Sequence, residues 1–145
     1  MPAGKRIALK DSVEVDGVDL SRFARNVRFN SEHAQEDVSG FTASGANEYL
    51  AGATTQSLTV EFYGSYGTGE VHQTLYPIHK DREVVPIAWR PDQTAAVGVD
   101  NPSLEGNVQL LGYSPGAARG EVDAFEVTFI SADESGLAFV TVATP

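Results

Sequence analysis

Cysteine is missing altogether from the 145 residues, and methionine and tryptophan occur once each. Disulfides and thiolate metal sites are therefore excluded. Stability must come from packing and hydrogen bonding, to which contacts between subunits can add. No apolar run approaches the roughly 20 residues that span a bilayer. The start, Met1-Pro2-Ala3-Gly4-Lys5-Arg6, leads into only a short patch, Ile7-Ala8-Leu9, so no signal peptide or membrane association is expected. Basic residues are scarce as well. Ten Lys and Arg face twenty Asp and Glu, a formal net charge of −10. The imbalance is local: residues 1–30 hold six Lys/Arg and four Asp/Glu, and residues 31–145 hold four and sixteen. Such a chain does not grip nucleic acid by neutralising phosphates. Acidity keeps a subunit soluble, and it is compatible with surrounding nucleic acid without adsorbing it.

Catalytic and metal signatures fail on chemistry. Gly112-Tyr113-Ser114-Pro115-Gly116 matches the pattern of a nucleophile elbow. The oxyanion hole of that motif needs the N–H of the residue after the serine, and Pro115 has none. His72 and His79 are seven apart with Pro77 between them, and with His33 they fit no metal-ligand spacing. The acidic pairs Glu36-Asp37 and Asp133-Glu134 lie outside any calcium-loop pattern. No phosphate-binding glycine loop is present, and no catalytic, cofactor-binding or metal residue is assigned.

What the chain does contain is period-two alternation. Val13 to Leu20 reads as a hairpin turning at Asp16-Gly17. Further strands are predicted around Val27 and Phe29, Leu58 to Tyr63, Val84 to Arg90, Val108 to Leu110, and Phe125 to Phe129, with a weaker one in 137–142. Pro86 marks an edge strand or a bulge. One helix is expected, capped by Thr68, with Val71, Leu75 and Ile78 on one face and a stop or kink near Pro77. The pattern predicts a mainly β fold: an antiparallel two-sheet sandwich or barrel with one short flanking α-helix and a long loop. A single domain, 1–145, is expected, with loose ends at 1–5 and 143–145. Residues 39–54 read as the long loop, glycine-punctuated yet carrying Phe41, Tyr49 and Leu50. Apolar side chains on such a loop need a surface to cover them, in this chain or in a neighbour.

Four segments taken together resemble the major tail tube proteins of long non-contractile-tailed phages, the siphophages, and among them those of actinobacteria. They are Leu9 to Ser21; Tyr49-Leu50-Ala51-Gly52 running into Ser57 to Tyr63; Thr74-Leu75-Tyr76-Pro77; and Asn101-Pro102, Gly106-Asn107-Val108 and Tyr113-Ser114-Pro115 ahead of Ala124 to Phe129. The resemblance spans about residues 8–130. It implies a structural, non-enzymatic virion protein, assembled in the host cytoplasm as hexameric rings that stack into a tube. It implies tape measure, tail terminator and baseplate or tail-tip proteins as partners, and DNA passing through without specific binding. Loop 39–54 would then reach between subunits through Phe41, Tyr49 and Leu50. Carboxylates would repel DNA from the wall within roughly 8 Å, and the candidates for the lumen face are Thr59, Glu61, Glu126 and Thr128. Alternation separates two faces of a strand without saying which meets the lumen. Two other readings stand beside this one: a head–tail completion protein or the inner tube of a contractile injection system, and a β-sandwich binding or adhesin module.

Overall fold

The computed structural model describes residues 6–41 and 43–142. The loose ends expected at 1–5 and 143–145 lie outside them. The chain opens with a tight hairpin, β1 (Ser12–Val15) and β2 (Val18–Asp19). Asp16 and Gly17 both have positive φ, 53° and 78°, the mirror-image turn that suits the twist of paired strands. A short 3-10 turn, Ser21–Phe23, follows. It leads into two long antiparallel strands, β3 (Ala24–Asp37) and β4 (Tyr49–Tyr63). Then come helix α1 (Val71–Asp81) and strands β5 (Val85–Arg90), β6 (Ser103–Leu110), β7 (Ala124–Ser131) and β8 (Ala138–Val140).

The mainly antiparallel β fold with one α-helix is as expected, with a correction to its layering. The eight strands of the described residues form one continuous sheet, seven of them in the order β2-β1-β5-β6-β7-β4-β3 with β8 branching from β6, and it does not close into a barrel. The hinge of this arrangement is β6. One of its edges pairs with β5; the other pairs first with β8 and then with β7. Along flat ladders, Phe29 on β3 and Phe139 on β8 would stand roughly 20 Å apart. Their rings instead meet edge-on, with centroids 5.5 Å apart, and Trp89 of β5 joins them at 6.3 Å. The sheet therefore curls over its own core.

That core is built by alternation. Val13 and Val15, Leu58, Val60 and Phe62, and Phe125, Val127 and Phe129 all point inward and are buried. Val71, Leu75 and Ile78 of α1 close it from outside. Gly106 of β6 lies where the loop before β8 crosses closely. A Cβ there would stand 2.6 Å from the Gly136 carbonyl and from Leu137 Cδ2.

Four local expectations change. The helix does not stop at Pro77 but runs eleven residues to Asp81. Pro77 and Gln73 are both exposed, so the Gln73 carbonyl that loses its helical partner meets water. The helix ends instead on left-handed Arg82, whose N–H bonds the His79 carbonyl, while Glu83 N–H reaches the Ile78 carbonyl. At its other end the cap position is Glu70, not Thr68. Strand β5 is not an edge strand, since β1 and β6 flank it. Pro86 is tolerated because β1 has already given way to the turn there: the ladder stops at Val15 and Ile87, and the Pro86 carbonyl accepts from Asp16 N–H at 2.8 Å. Finally, the expected loop 39–54 is shorter. Residues 49–54 belong to β4, and the connection is 38–48.

Candidate functional site

The outer halves of β3 and β4 leave the body as a two-stranded arm. Pairing of the two strands continues to Asp37 and Tyr49, whereas β7 accompanies β4 only from Ser57 to Tyr63. Beyond Ser57, each strand has one unpaired edge, and Asn30–Asp37 is exposed on both faces. The arm has a bulge between His33 and Gln35. Local polar bonds hold its tip: Val38 N–H donates to the Glu48 carbonyl at 3.0 Å, and Glu48 N–H to Ser39 Oγ at 2.9 Å. His33 Nδ1 lies 2.8 Å from Thr54 Oγ1. The tip carries the three predicted contact residues. Phe41 is wholly exposed, Leu50 is 62% exposed and Tyr49 half-exposed. Val38, not singled out from sequence, joins them at 44%.

At the body, the four predicted lumen residues share one outward face in two cross-strand rows. Thr59 pairs with Thr128 and Glu61 with Glu126. On the β3 side, Arg28 stands opposite Thr59 and Asn26 opposite Glu61. The Thr59 and Thr128 hydroxyls are 3.5 Å apart. Arg25, displaced at a bulge, brings its Nε to 3.0 Å from Glu61 Oε1. Glu126 has no ion pair among the described residues. Two carboxylates face each other across the ladder, an arrangement that destabilises an isolated sheet.

A second acidic row escaped sequence reasoning. Asp19, Glu14, Ala88 and Glu105 are successive cross-strand partners over β2, β1, β5 and β6, again on an outward face. Only register, a long-range property, brings these carboxylates into line. Asp19 also accepts from the Ser21 N–H and hydroxyl, which seats the 3-10 turn.

The remaining polar chemistry is structural. Asn101 is buried and clamps the segment before β6: its Oδ1 accepts from Asp92 N–H, and its Nδ2 faces the carbonyls of Asp92, Ala95 and Ala96. His72 on α1 stacks on Tyr76, and its Nδ1 lies 2.8 Å from the Tyr113 hydroxyl. Burial, with the fields of Tyr66 and Asp123 added, pushes the Tyr113 phenol up to about 12. Asp123 binds Tyr66 Oη and Gly116 N–H and so ties the chain after β6 to the start of the helix. Glu70 is held below the usual carboxylate range by the Ser65 hydroxyl and Gly67 N–H. Ser114 is exposed in an irregular segment with no following helix, which is not the setting of a nucleophile elbow. Among the described residues no group of three His, Asp or Glu gathers in metal-binding geometry, and no helix is long and apolar enough to cross a membrane.

No family model and no curated protein matches the sequence. Solved structures do match in shape. A chain from the virion of a native gene transfer agent particle superposes with a TM-score of 0.75 at 14% identity, covering 94% of this chain and 100% of that one. A chain from the tail of an empty gene transfer agent particle, refined with C6 symmetry, gives 0.72 at 16% identity over 96% of this chain and 100% of that one. The SPP1 tail tube gives 0.66 at 10% identity, covering 92% and 77%. The fold is the tail tube fold. With that fold, α1 and its His72–Tyr113 contacts flank the curled sheet, and the arm is an extension of its β3–β4 hairpin.

Proposed function

We propose that the chain is a structural subunit of the tail tube of a long non-contractile phage tail, one tail tube domain that forms hexameric rings stacked into a conduit for DNA. The arm carries this reading. Fourteen residues of β3 present an unpaired edge, and a two-stranded ribbon with both faces wet is marginal by itself. Open edges of this length invite pairing with another chain, and ring closure removes them. The likeness to a tail with sixfold symmetry and to the SPP1 tail tube points the same way.

In this reading Phe41, Tyr49 and Leu50 are anchors between subunits, and Thr59, Glu61, Glu126 and Thr128 line the lumen. The role is structural, without catalysis or cofactor. Tape measure, terminator and tail-tip proteins complete the tail. On that face carboxylates and hydroxyls stand beside Arg28 and the Glu61-paired Arg25, so few free cations are left to hold phosphates by counterion release.

The test is negative-stain microscopy with light scattering of the purified chain, seeded with sheared polymer. Long tubes are expected; a monomer at every concentration, seeded or not, would overturn the proposal. A second reading rests on the likeness to a chain of the anti-feeding prophage baseplate, TM-score 0.62 at 10% identity over 99% of this chain and 100% of that one. It makes the chain a completion ring or the inner tube of a contractile injection system. Assembly that stops at one ring would select the completion role.

A further inference from the structure

The charge asymmetry along the chain becomes a spatial one in the fold. Residues 30–56, the arm and its tip, hold four carboxylates, Glu32, Glu36, Asp37 and Glu48, and no Lys or Arg. All four are exposed. None has an ion pair among the described residues. The Ser39 hydroxyl and N–H hold Asp37 in its charged form.

The complementary surface lies at the other end of the hairpin. The segment Arg6 to Asp11 and the chain from Ser21 to Val27 enclose an open groove of about 370 Å³. Arg6, Leu9, Arg22 and Arg25 line it, and Lys10 stands exposed beside it. Two cations there are already partnered: Arg6 by Asp11 at 3.1 Å and Arg25 by Glu61 at 3.0 Å. Lys10 and Arg22 have no ion pair among the described residues, although Arg22 lends its field to Glu70. The Arg22 guanidinium lies 4.9 Å from the Phe23 ring centre. The rim is apolar and uncovered, with Ile7 79% and Leu9 80% exposed.

One end of the molecule is thus an acidic arm with an apolar tip, and the other a basic groove with an apolar rim. We infer that the arm of one copy docks in the Arg6–Asp11/Ser21–Val27 groove of a second copy. Phe41 and Leu50 cover Ile7 and Leu9, and Glu36 and Glu48 face Lys10 and Arg22. The two surfaces differ, so the contact is head-to-tail and propagates from copy to copy instead of closing a dimer. Opposite charges fix its polarity and disfavour arm-to-arm and groove-to-groove encounters. This inference rests on the tube reading and names the receptor for the arm within it.

The absence of native cysteine permits a direct test. The double variant Leu9→Cys/Leu50→Cys is polymerised, oxidised and run on a non-reducing gel. A ladder extending past the dimer is expected, with neither single variant passing the dimer. Normal tubes with no ladder overturn the docking site and leave the tube reading intact. A wild-type chain that never polymerises under seeding overturns both. Charge exchange gives a second arm of the test. Lys10→Glu/Arg22→Glu and Glu36→Lys/Glu48→Lys should each raise the critical concentration for polymerisation about tenfold, as the loss and reversal of two partly exposed pairs predicts. The fourfold variant should return most of the way to wild type. Unfolding midpoints separate a folding defect from a docking defect. Additive losses in the fourfold variant, without recovery, overturn the pairing.

Discussion

Replacing Glu126 by Lys separates the two acidic faces. In the free subunit the change turns a like-charged cross-strand pair with Glu61 into an opposite one; because Arg25 already partners Glu61, the added stability is about 0.5 kcal/mol. At this chain length that raises the melting temperature by roughly 2 °C, so loss of fold cannot explain a functional defect. In a tube the same change alters the wall by two charges per subunit. Against a phosphate 8 Å away in water, two unit charges amount to about 1 kcal/mol unscreened and about 0.4 kcal/mol after one Debye length. Two or three subunits of a ring facing phosphates together hold DNA back by about 1 kcal/mol, a several-fold slowing. The assay is the ejection rate from particles carrying the variant, at low and high salt. Slowing at low salt that fades as salt rises is expected. Glu105→Lys, in the row with Glu14 and Asp19, should eject at the wild-type rate. Normal ejection from Glu126→Lys particles at low salt would refute the lumen assignment, and slowing by Glu105→Lys alone would move the lumen to the second row.

Asn101→Ala removes the clamp on residues 92–96 and leaves the part-buried Asp92 N–H unpaired; a loss of about 1 to 3 kcal/mol of stability, read from the urea midpoint, is expected. Tyr113 has a folded pKa raised to about 12 from an ordinary value near 10. Its contribution is complete below pH ~10 and is lost as pH rises toward ~12, so alkaline unfolding should be less steep in Tyr113→Phe, as read from urea midpoints at successive pH values. Amides of 30–37 and 49–56 should exchange fast in the free subunit and slowly in the polymer; equal protection in both would remove the arm from the contact.

Most of the body was legible because one face of each strand is buried. Leu58, Val60 and Phe62 alternate with Thr59, Glu61 and Tyr63, and Phe125, Val127 and Phe129 with Glu126 and Thr128; inward and outward sets followed at once. The turn at Asp16-Gly17 was legible from its chemistry. The arm was not, because both of its faces are wet and no apolar alternation marks Asn30–Asp37 as strand. Pro77 misled because a proline disrupts a helix least where the freed carbonyl faces solvent, and Pro86 because a central strand can hold a proline where its neighbour has turned away. Register sets Thr59 beside Thr128 and Glu61 beside Glu126 on one outward face. That Glu14 and Glu105 also line up could not be read locally, since residues some ninety positions apart meet only through register.

These features share a direction. A monomer selected for its own stability has little reason to set Glu126, which has no ion pair among the described residues, beside Glu61, or Asp19 beside Glu14, since like charges across a ladder weaken it. Nor has it reason to extend β3 and β4 beyond the reach of β7 and leave two backbone edges in water. Each departs from the local rules that the core obeys, and departures of this kind gather where function outweighs stability. The arm's missing partners are backbone groups and apolar cover, which a second protein surface supplies. The Glu61–Glu126 row has a use where a polyanion must be kept off the surface, which nothing within the subunit requires. A repeating assembly around nucleic acid meets both needs with one surface of each kind per copy. A lone β-sandwich binder meets neither.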